Sequence, residues 1–420
     1  MINKPLSVQF EITEACTHKC RHCYNYFNHN SRTEKTKKGI IDFIAEQEFF
    51  DITLTGGEPL VYKDLLNYSL AKFKEKNMDV KLNSNLYLLD KEDAIIFKEN
   101  GLDSVLGSIL GSDSKKHDSL TGVSGSFSKL IDSVKYLLNQ KIPVALNMVV
   151  NKNNLSDLYD VGKLTQNLGI NSFCATPMVI SPNKDLSDLE LSDREYIRTL
   201  STLLELKSDF GLKIDSLHPP LPCMFEESER EKYRMFFDKR SCVAGTGTLT
   251  FSPNGDVRPC SHSNLIYGNI VENSLEDILK EMEIWRNTDL IPEDCNPCAY
   301  VEKCRGGCRV SAEAFTGKLN GVEPYFKHPL KTKIPELPKR RIKLENLKPV
   351  KGNIRYRDEP NGLKAVYVSS RINSRVTEDE FNVLRRFVAG KTYNEIINEV
   401  KNPKVIEEIS KTLASKQLLV

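Results

Sequence analysis

The 420-residue sequence predicts an α/β protein: a partial (β/α)6 barrel, then a small cysteine-rich domain, then a winged-helix-like module at the C-terminus. Three observations predict it. Short β-rich runs alternate with amphipathic helical stretches through the first half. Nine of the eleven cysteines fall into two groups, at 16–23 and 242–308. The last stretch, from about residue 351, returns to a pattern of strands followed by three helices.

Each element follows from local pattern. Strands are expected at Ser7–Thr13, Asp51–Thr55, Asp79–Asn83, Ser104–Ile109, Val144–Val150 and Ser172–Met178. Helices are expected near Lys37–Glu48, Lys63–Lys76, Lys91–Asn100, Ser126–Asn139 and Leu155–Leu168. Repeated βα units imply a parallel sheet covered by helices, with chemistry at the C-terminal strand ends. Doubly wound and full-barrel arrangements share this pattern. The run His218-Pro219-Pro220-Leu221-Pro222 reads as a boundary, so the barrel is placed at 1–215 and the cysteine-rich domain at 216–330. Turn signals such as Ser252-Pro253-Asn254-Gly255 suit a small stapled domain. A basic, proline-rich linker is expected over 331–350 and a final module over 351–420. There, Asn353–Arg357 and Lys364–Ser369 read as strands around an Asn361-Gly362 turn. Helices are expected at Thr377–Ala389, Thr392–Val400 and Pro403–Lys416, the first opened by a Thr377/Glu380 capping box.

Net charge is +2, so no broad field steers the chain to nucleic acid or to a membrane surface. No apolar run reaches the ~20 residues that span a bilayer. The first residues lack the apolar core of a secretory signal, so a cytoplasmic location is expected. In a reducing compartment, grouped cysteines point to metal ligation rather than disulfides.

Cys16, Cys20 and Cys23 have spacing C-x3-C-x2-C directly after the first strand. Three thiolates on one short loop can hold three irons of a cubane cluster and leave the fourth iron open. A zinc site completed by His18 or His22 is the competing reading. Context counts against it: Tyr24 follows the third cysteine, and Gly56-Gly57-Glu58-Pro59 closes the second strand. With these motifs, residues 6–180 resemble the radical SAM superfamily. The resemblance implies a catalytic 4Fe–4S cluster on Cys16, Cys20 and Cys23, with S-adenosylmethionine (SAM) on its open iron. Tyr24, Gly56, Gly57, Glu58, Ser84, Asn85 and Ser108 become the implied cofactor contacts. The chain departs from the family at Leu86, Leu110 and Thr121, where glycine, aspartate and arginine are usual. Asp113 and Asp118 could compensate, or serve only as solvated loop acids.

The second group reads C-x12-G-x4-C over Cys242, Gly255 and Cys260, then C-x2-C-x5-C-x3-C over Cys295, Cys298, Cys304 and Cys308. A structural zinc ribbon would use similar spacing. The whole pattern resembles the SPASM domain of peptide-modifying radical SAM enzymes. That resemblance implies two auxiliary 4Fe–4S clusters, one on Cys242, Cys260 and Cys308 and one on Cys295, Cys298 and Cys304. Each needs a fourth ligand. Cys223 is assigned to the first, with a free thiol as the alternative; for the second, an open iron stands beside a non-cysteine ligand such as Glu323 or His328, since Phe326 stands where a cysteine is usual. Cys174, in an apolar strand, reads as core.

Thr377 to Val420 resembles the helical half of the PqqD-like recognition element, which implies capture of a peptide leader. Structural-cap and DNA-binding roles share the pattern. A leader would add as a strand to an exposed edge near Lys364–Ser369. Together these readings describe a radical SAM oxidoreductase that modifies a ribosomally made precursor peptide. The product would be a thioether or carbon–carbon crosslink, or a double bond, and an external electron donor is required. Two other readings stand beside it: a sulfatase-maturase-like enzyme that makes formylglycine, and a non-catalytic iron–sulfur or zinc binding module.

Overall fold

The computed structural model describes residues 4–24, 34–180, 185–238, 241–335, 343–369, 372–400 and 402–420. Part of the expected basic linker, residues 336–342, lies outside the described residues. The described chain forms two compact units. One comprises 8–47 and 52–334; the other comprises 1–7, 48–51 and 335–420.

The larger unit is built on a nine-stranded sheet. In chain order its strands are β1 (Ser7–Thr13), β2 (Asp51–Gly56), β3 (Asp79–Ser84), β4 (Ser104–Ser108), β5 (Val144–Val150), β6 (Ser172–Pro177), β7 (Lys213–Asp215), β8 (Thr248–Phe251) and β9 (Val257–Arg258). Their spatial order is β7-β6-β5-β4-β3-β2-β1-β8-β9. β3 to β7 pair in parallel, and β8 and β9 form an antiparallel hairpin. All six expected strands are present to within a residue or two at their ends.

Strand side chains alternate between two faces. One face carries Phe10, Leu82, Val105, Leu146, Met148 and Phe173, all nearly or fully buried. The opposite face keeps Asn83, Ser108, Asn147, Cys174 and Thr176 partly exposed. That polar face explains why Cys174 is only half-buried and is not the core residue its apolar strand suggested.

The expected helices also form, with shifted limits. The first spans Glu34–Ala45, and the stretch Leu155–Leu168 divides into a 3-10 turn at Leu155–Asp157 and a helix at Leu158–Asn167. Within residues 1–215 sequence reading omitted two helices, Ser114–Thr121 and Asp193–Phe210, and it named none of the short helices between 216 and 330. The first is short and polar. The second carries a complete capping box, Ser192 with Glu195, which could have marked it.

The hairpin β8–β9 joins the cysteine-rich segment to the barrel sheet. Arg258 at its end reaches Glu11 of β1, and both side chains are almost fully buried. The same guanidinium donates to the carbonyls of Ser261 (3.2 Å) and Ser263 (2.9 Å) just after Cys260. A second buried arginine, Arg309, donates to the carbonyls of Leu290, Leu319 and Gly321 at 2.9–3.0 Å. It organises the Cys295–Cys308 loop much as a small core would.

The smaller unit holds an antiparallel sheet of β10 (Arg355–Asp358), β11 (Lys364–Ser369) and β12 (Ile372–Val376), followed by helices at Glu378–Val388, Tyr393–Asn398 and Pro403–Ser415. The first two helices open with capping boxes, Thr377/Glu380 and Thr392/Glu395. Phe381, Leu384, Phe387, Ile396, Leu413 and Leu418 make the core. Within this unit Phe50 stacks on Tyr367 at 5.3 Å, and the Tyr367 hydroxyl donates to Asp51 at 2.8 Å. One expectation is corrected. β11 is the central strand, hydrogen-bonded on both sides, so no peptide can add near Lys364–Ser369. The outer strands are β10 and β12.

Among the described residues no helix is long and apolar enough to cross a membrane.

Removing one partner of a buried ion pair strands the other charge. Glu11→Ala should therefore lower unfolding stability by about 3–5 kcal/mol in anaerobic denaturant titrations. The double change Glu11→Leu/Arg258→Met, which removes both charges, should recover most of that loss.

Candidate active site

The cysteine loop leaves β1 at Thr13 and is held from three sides. Gly57 N–H donates to Thr13 O at 2.7 Å, and Glu58 N–H donates to Ala15 O at 2.8 Å. A Cβ on Gly56 would meet Thr13 O at 2.2 Å, and one on Gly57 would meet the carbonyl oxygens of Glu14 and Ala15 at 2.4 Å. These glycines let the end of β2 lie against the chain entering Cys16. From another side, Lys19 N–H donates to Thr121 O at 2.8 Å. From the third, the Asn85 amide donates to Thr17 Oγ1 at 3.1 Å and to the Cys16 sulfur at 3.7 Å.

Glu58 is fully buried. Its Oε1 accepts from Leu60 N (3.0 Å) and Ser84 Oγ (2.7 Å), and its Oε2 accepts from Asn85 N (2.7 Å). Burial raises its pKa to about 7 against those hydrogen bonds. So Glu58, Ser84 and Asn85 form one network that positions Cys16. Among the described residues Ser84 spends its hydroxyl on Glu58 and on Leu86 N.

The departures from the family pattern have structural roles. Leu86 takes a left-handed φ of 63°, a conformation glycine adopts without cost, and its side chain is fully buried. Gly107 on β4 makes room for it: a Cβ there would meet Leu86 and Leu146 at 2.9 Å. Leu110 is buried, and its N–H donates to His117 Nδ1 at 3.2 Å. Thr121 bonds Ser126 at 2.8 Å. Asp113 caps the helix Ser114–Thr121, and Asp118 accepts from Gly125 N, Ser126 Oγ and Phe127 N. Both carboxylates are spent on local hydrogen bonds, one at the start of this helix and one to the turn after it. On the polar face of the sheet, Ser108 is exposed at the end of β4, opposite Asn147 in register, and Asn147 accepts from Thr176 at 2.8 Å. Asn151 and Asn153 form an asparagine-rich turn with Asn154.

Tyr24 also makes contacts beyond the first cysteine loop. Its ring lies 4.2 Å from His262, and its hydroxyl bonds Ser261 and Thr55. It therefore ties the Cys23 end of the first loop to the Cys260 loop. Sequence reading had no signal for the contact with Ser261 and His262, which lie more than 200 residues along the chain from Tyr24.

The other cysteines sort into two sets. Cys242, Cys260 and Cys308 are electrostatic neighbours of one another. Cys308 is the N-cap of the helix Arg309–Thr316, where the helix dipole favours a thiolate. Cys295, Cys298 and Cys304 line one small cavity, and Cys223 lines it with them. This corrects the assignment of Cys223 to the first set. The 3-10 turn Pro222–Met224 aims its thiol at the second. His328 lines the same cavity, whereas Glu323 pairs with His218 at 3.0 Å and neighbours Cys242 and Cys308. His218, read only as part of a boundary, is thus beside a cysteine set.

Burial pushes Cys16, Cys242 and Cys295 up to about 11 and Cys260 up to about 12. Such thiols need a metal's charge to ionise near neutrality. Among the described residues, no three His, Cys, Asp or Glu side chains converge as a single ion requires. A cubane spreads its irons over a cage, and four cysteines lining one cavity suit its ligation.

Two family models match. Residues 10–165 match the radical SAM superfamily, and residues 242–308 match SPASM, an iron–sulfur cluster-binding domain. The chain is 26% identical to an AdoMet-dependent heme synthase of Methanosarcina barkeri over 77% of this chain and 97% of that one. It is 25% identical to a PqqA peptide cyclase of Granulibacter bethesdensis over 77% of this chain and 87% of that one. It is 26% identical to the subtilosin biosynthesis protein AlbA of Bacillus subtilis over 72% and 67%. Among solved structures, it shares the fold of Streptococcus suis SuiB bound to its precursor peptide SuiA, at TM-score 0.59 and 18% identity over 76% of this chain and 75% of that one. It also shares the fold of anSMEcpe with bound AdoMet and a peptide, at TM-score 0.61 and 18% identity over 77% and 94%.

Glu58 supplies a pH signature. Its folded pKa of about 7 lies above its ordinary 4.5. Between those values the folded chain binds a proton that the unfolded chain has released, so this group makes stability fall as pH rises through that window. Glu58→Gln should remove that part of the slope. It should also cost about 1–3 kcal/mol throughout, because an amide NH2 would face the Asn85 N–H. Urea unfolding at several pH values checks both.

Proposed function

The chain belongs to the radical SAM superfamily and carries a SPASM iron–sulfur domain, and from that premise we propose that it oxidatively modifies a ribosomally made precursor peptide. The observation that carries the reading is the gathering of three cysteine sets in one unit, on a fold shared with two peptide-bound enzymes. The peptide cyclase and AlbA relatives support a peptide substrate.

With a 4Fe–4S cluster and SAM bound, reduction by an external one-electron donor supplies a 5′-deoxyadenosyl radical that removes hydrogen from the substrate. Cys16, Cys20 and Cys23 would hold that cluster. The Glu58–Ser84–Asn85 network orients Cys16, and the backbone of Gly56 and Gly57 braces the loop. Ser108, Asn147 and Thr176 give the polar sheet face hydrogen-bonding groups for SAM or substrate. Cys242, Cys260 and Cys308, and separately Cys223, Cys295, Cys298 and Cys304, would hold auxiliary clusters that accept the second electron. The net result is a two-electron oxidation, closing a thioether or carbon–carbon crosslink. The smaller unit, PqqD-like in its strand–helix pattern, would take the peptide leader along β10 or β12, raising the local substrate concentration.

The heme synthase relatives favour a second reading, in which the substrate is a tetrapyrrole. The heme synthase and peptide cyclase matches each cover 77% of this chain, and the peptide reading draws its added support from the fold shared with two peptide-bound enzymes.

Anaerobically reconstituted protein should carry about twelve irons, as three cubanes require. With a reductant it should release 5′-deoxyadenosine from SAM. A Cys16/Cys20/Cys23→Ala variant should lose about four irons and all SAM cleavage. Incubation with its precursor peptide should yield a product lacking a pair of hydrogen atoms, read by mass spectrometry. Zinc without iron, or no SAM cleavage by the loaded protein, would sink the reading; turnover of a tetrapyrrole and not of the peptide would select the second.

A further inference from the structure

We propose that His218 is the fourth ligand of the first auxiliary set, so that Cys242, Cys260, Cys308 and His218 hold one cluster through three thiolates and an imidazole. The proposal rests on the auxiliary-cluster reading above and adds a ligand that the cysteine spacing does not contain.

The cysteines run out first. Three lie on the loop after β1, and four line the cavity that includes Cys223. Three more form the set of Cys242, Cys260 and Cys308. The eleventh, Cys174, lies within β6, paired in register with Asn147 and Asp215. The first set is therefore one ligand short.

His218 is where that ligand is needed. It is 5% exposed, and its imidazole lies against the Cys308 thiol. Its Nε2 is 3.0 Å from Glu323 Oε1, yet the two atoms are not aligned for a hydrogen bond, and both are left buried without one. A buried polar group left without a hydrogen bond needs an explanation, and a bound metal ion or cluster is one.

The other ring nitrogen is accounted for. Nδ1 lies 3.3 Å from the Tyr196 hydroxyl, whose O–H donates to the His218 carbonyl at 2.9 Å. The hydroxyl oxygen can therefore accept Nδ1–H, which leaves the Nε2 lone pair for a metal. Metal-bound histidines are held in this way by a partner on the distal nitrogen. Tyr196 is itself fully buried and packs edge-on against Tyr325 at 4.8 Å. Ser216 Oγ donates to the same carbonyl at 3.0 Å, and Pro219 and Pro220 stiffen the chain that follows. The ring is thus preorganised.

Glu323 is the rival ligand, and it is better suited to position the imidazole. Imidazole is an established ligand to iron in sulfur clusters, whereas carboxylates suit harder ions. Glu323 also neighbours Cys304 of the second set, so its charge lies between the two sets. Gly307 keeps that space open, because a Cβ there would meet Glu323 Oε2 at 2.3 Å.

The test uses the full chain in the Cys16/Cys20/Cys23→Ala background, which leaves only auxiliary iron. Reduced protein made with 14N- or 15N-histidine is examined by pulsed electron paramagnetic resonance, with iron content measured on the same samples. One strongly coupled histidine nitrogen is expected, changing with the isotope and lost in His218→Ala. His218→Cys should keep its iron, lose the nitrogen coupling and shift one cluster to a more negative potential, because imidazole ligation raises it. Glu323→Gln should keep the coupling. Full auxiliary iron without histidine coupling in the parent protein overturns the proposal and leaves the cluster reading intact. So does coupling that survives in His218→Cys. Absence of auxiliary iron overturns both.

Discussion

The buried ion pair between Glu11 and Arg258 is the constraint on which the larger unit depends. Glu11 lies on the strand that delivers Cys16, and Arg258 lies on the strand that delivers Cys260. Because β8 lies beside β1 in one sheet, the two cysteine loops leave neighbouring parts of a single rigid layer. The Arg258 contacts to Ser261 and Ser263 carry that restraint into the second loop, and Tyr24 against His262 closes it from the first. A separate cysteine-rich domain on a linker could not hold such a relation. Electron transfer between clusters depends steeply on distance, so fixing both loops on one sheet is a mechanistic requirement as well as a packing result.

Burial governs the chemistry of the thiols. Most of the cysteines in the three sets sit where the protein alone favours the protonated form. Cluster binding must then release protons, and its free energy becomes part of the folding free energy of the loops. The protein assists at selected points. Arg309 places a buried positive charge near Cys242 and Cys295 while tying down the surrounding carbonyls. Cys308 has a helix N-terminus and the His218 ring beside it, which together hold its thiol below the ordinary range despite burial.

The departures from the family motifs are compensated by packing. Leu86 occupies a backbone conformation suited to glycine, and its buried side chain fills the space that Gly107 leaves open. Left-handed backbone in a non-glycine residue costs on the order of 1–2 kcal/mol, a cost that burial of a leucine side chain can offset. Thr121 holds the cysteine loop through its carbonyl, a contact any residue type could make. The side chains that differ at 86, 110 and 121 therefore alter the walls of the site and leave its loop in place.

Periodicity and spacing, which are local properties, determined a great deal. Alternation placed six strands, the 3.6-residue period placed most helices, and Thr377 with Glu380 marked a helix start that the structure keeps. The C-x3-C-x2-C loop and the Gly-Gly-Glu-Pro turn were legible because their residues act within a few positions of one another, or of the strand end that carries them. What only the tertiary structure decided are the pairings between distant segments: Glu11 with Arg258, Tyr24 with His262, Cys223 with Cys295, Cys298 and Cys304, and His218 with Cys308 and Glu323. No spacing rule reaches them, because the separation between two such residues along the chain says nothing of where the folded sheet will bring them. The central position of β11 belongs to the same class, since strand order follows from which strand edges are covered in three dimensions and not from which segments are extended.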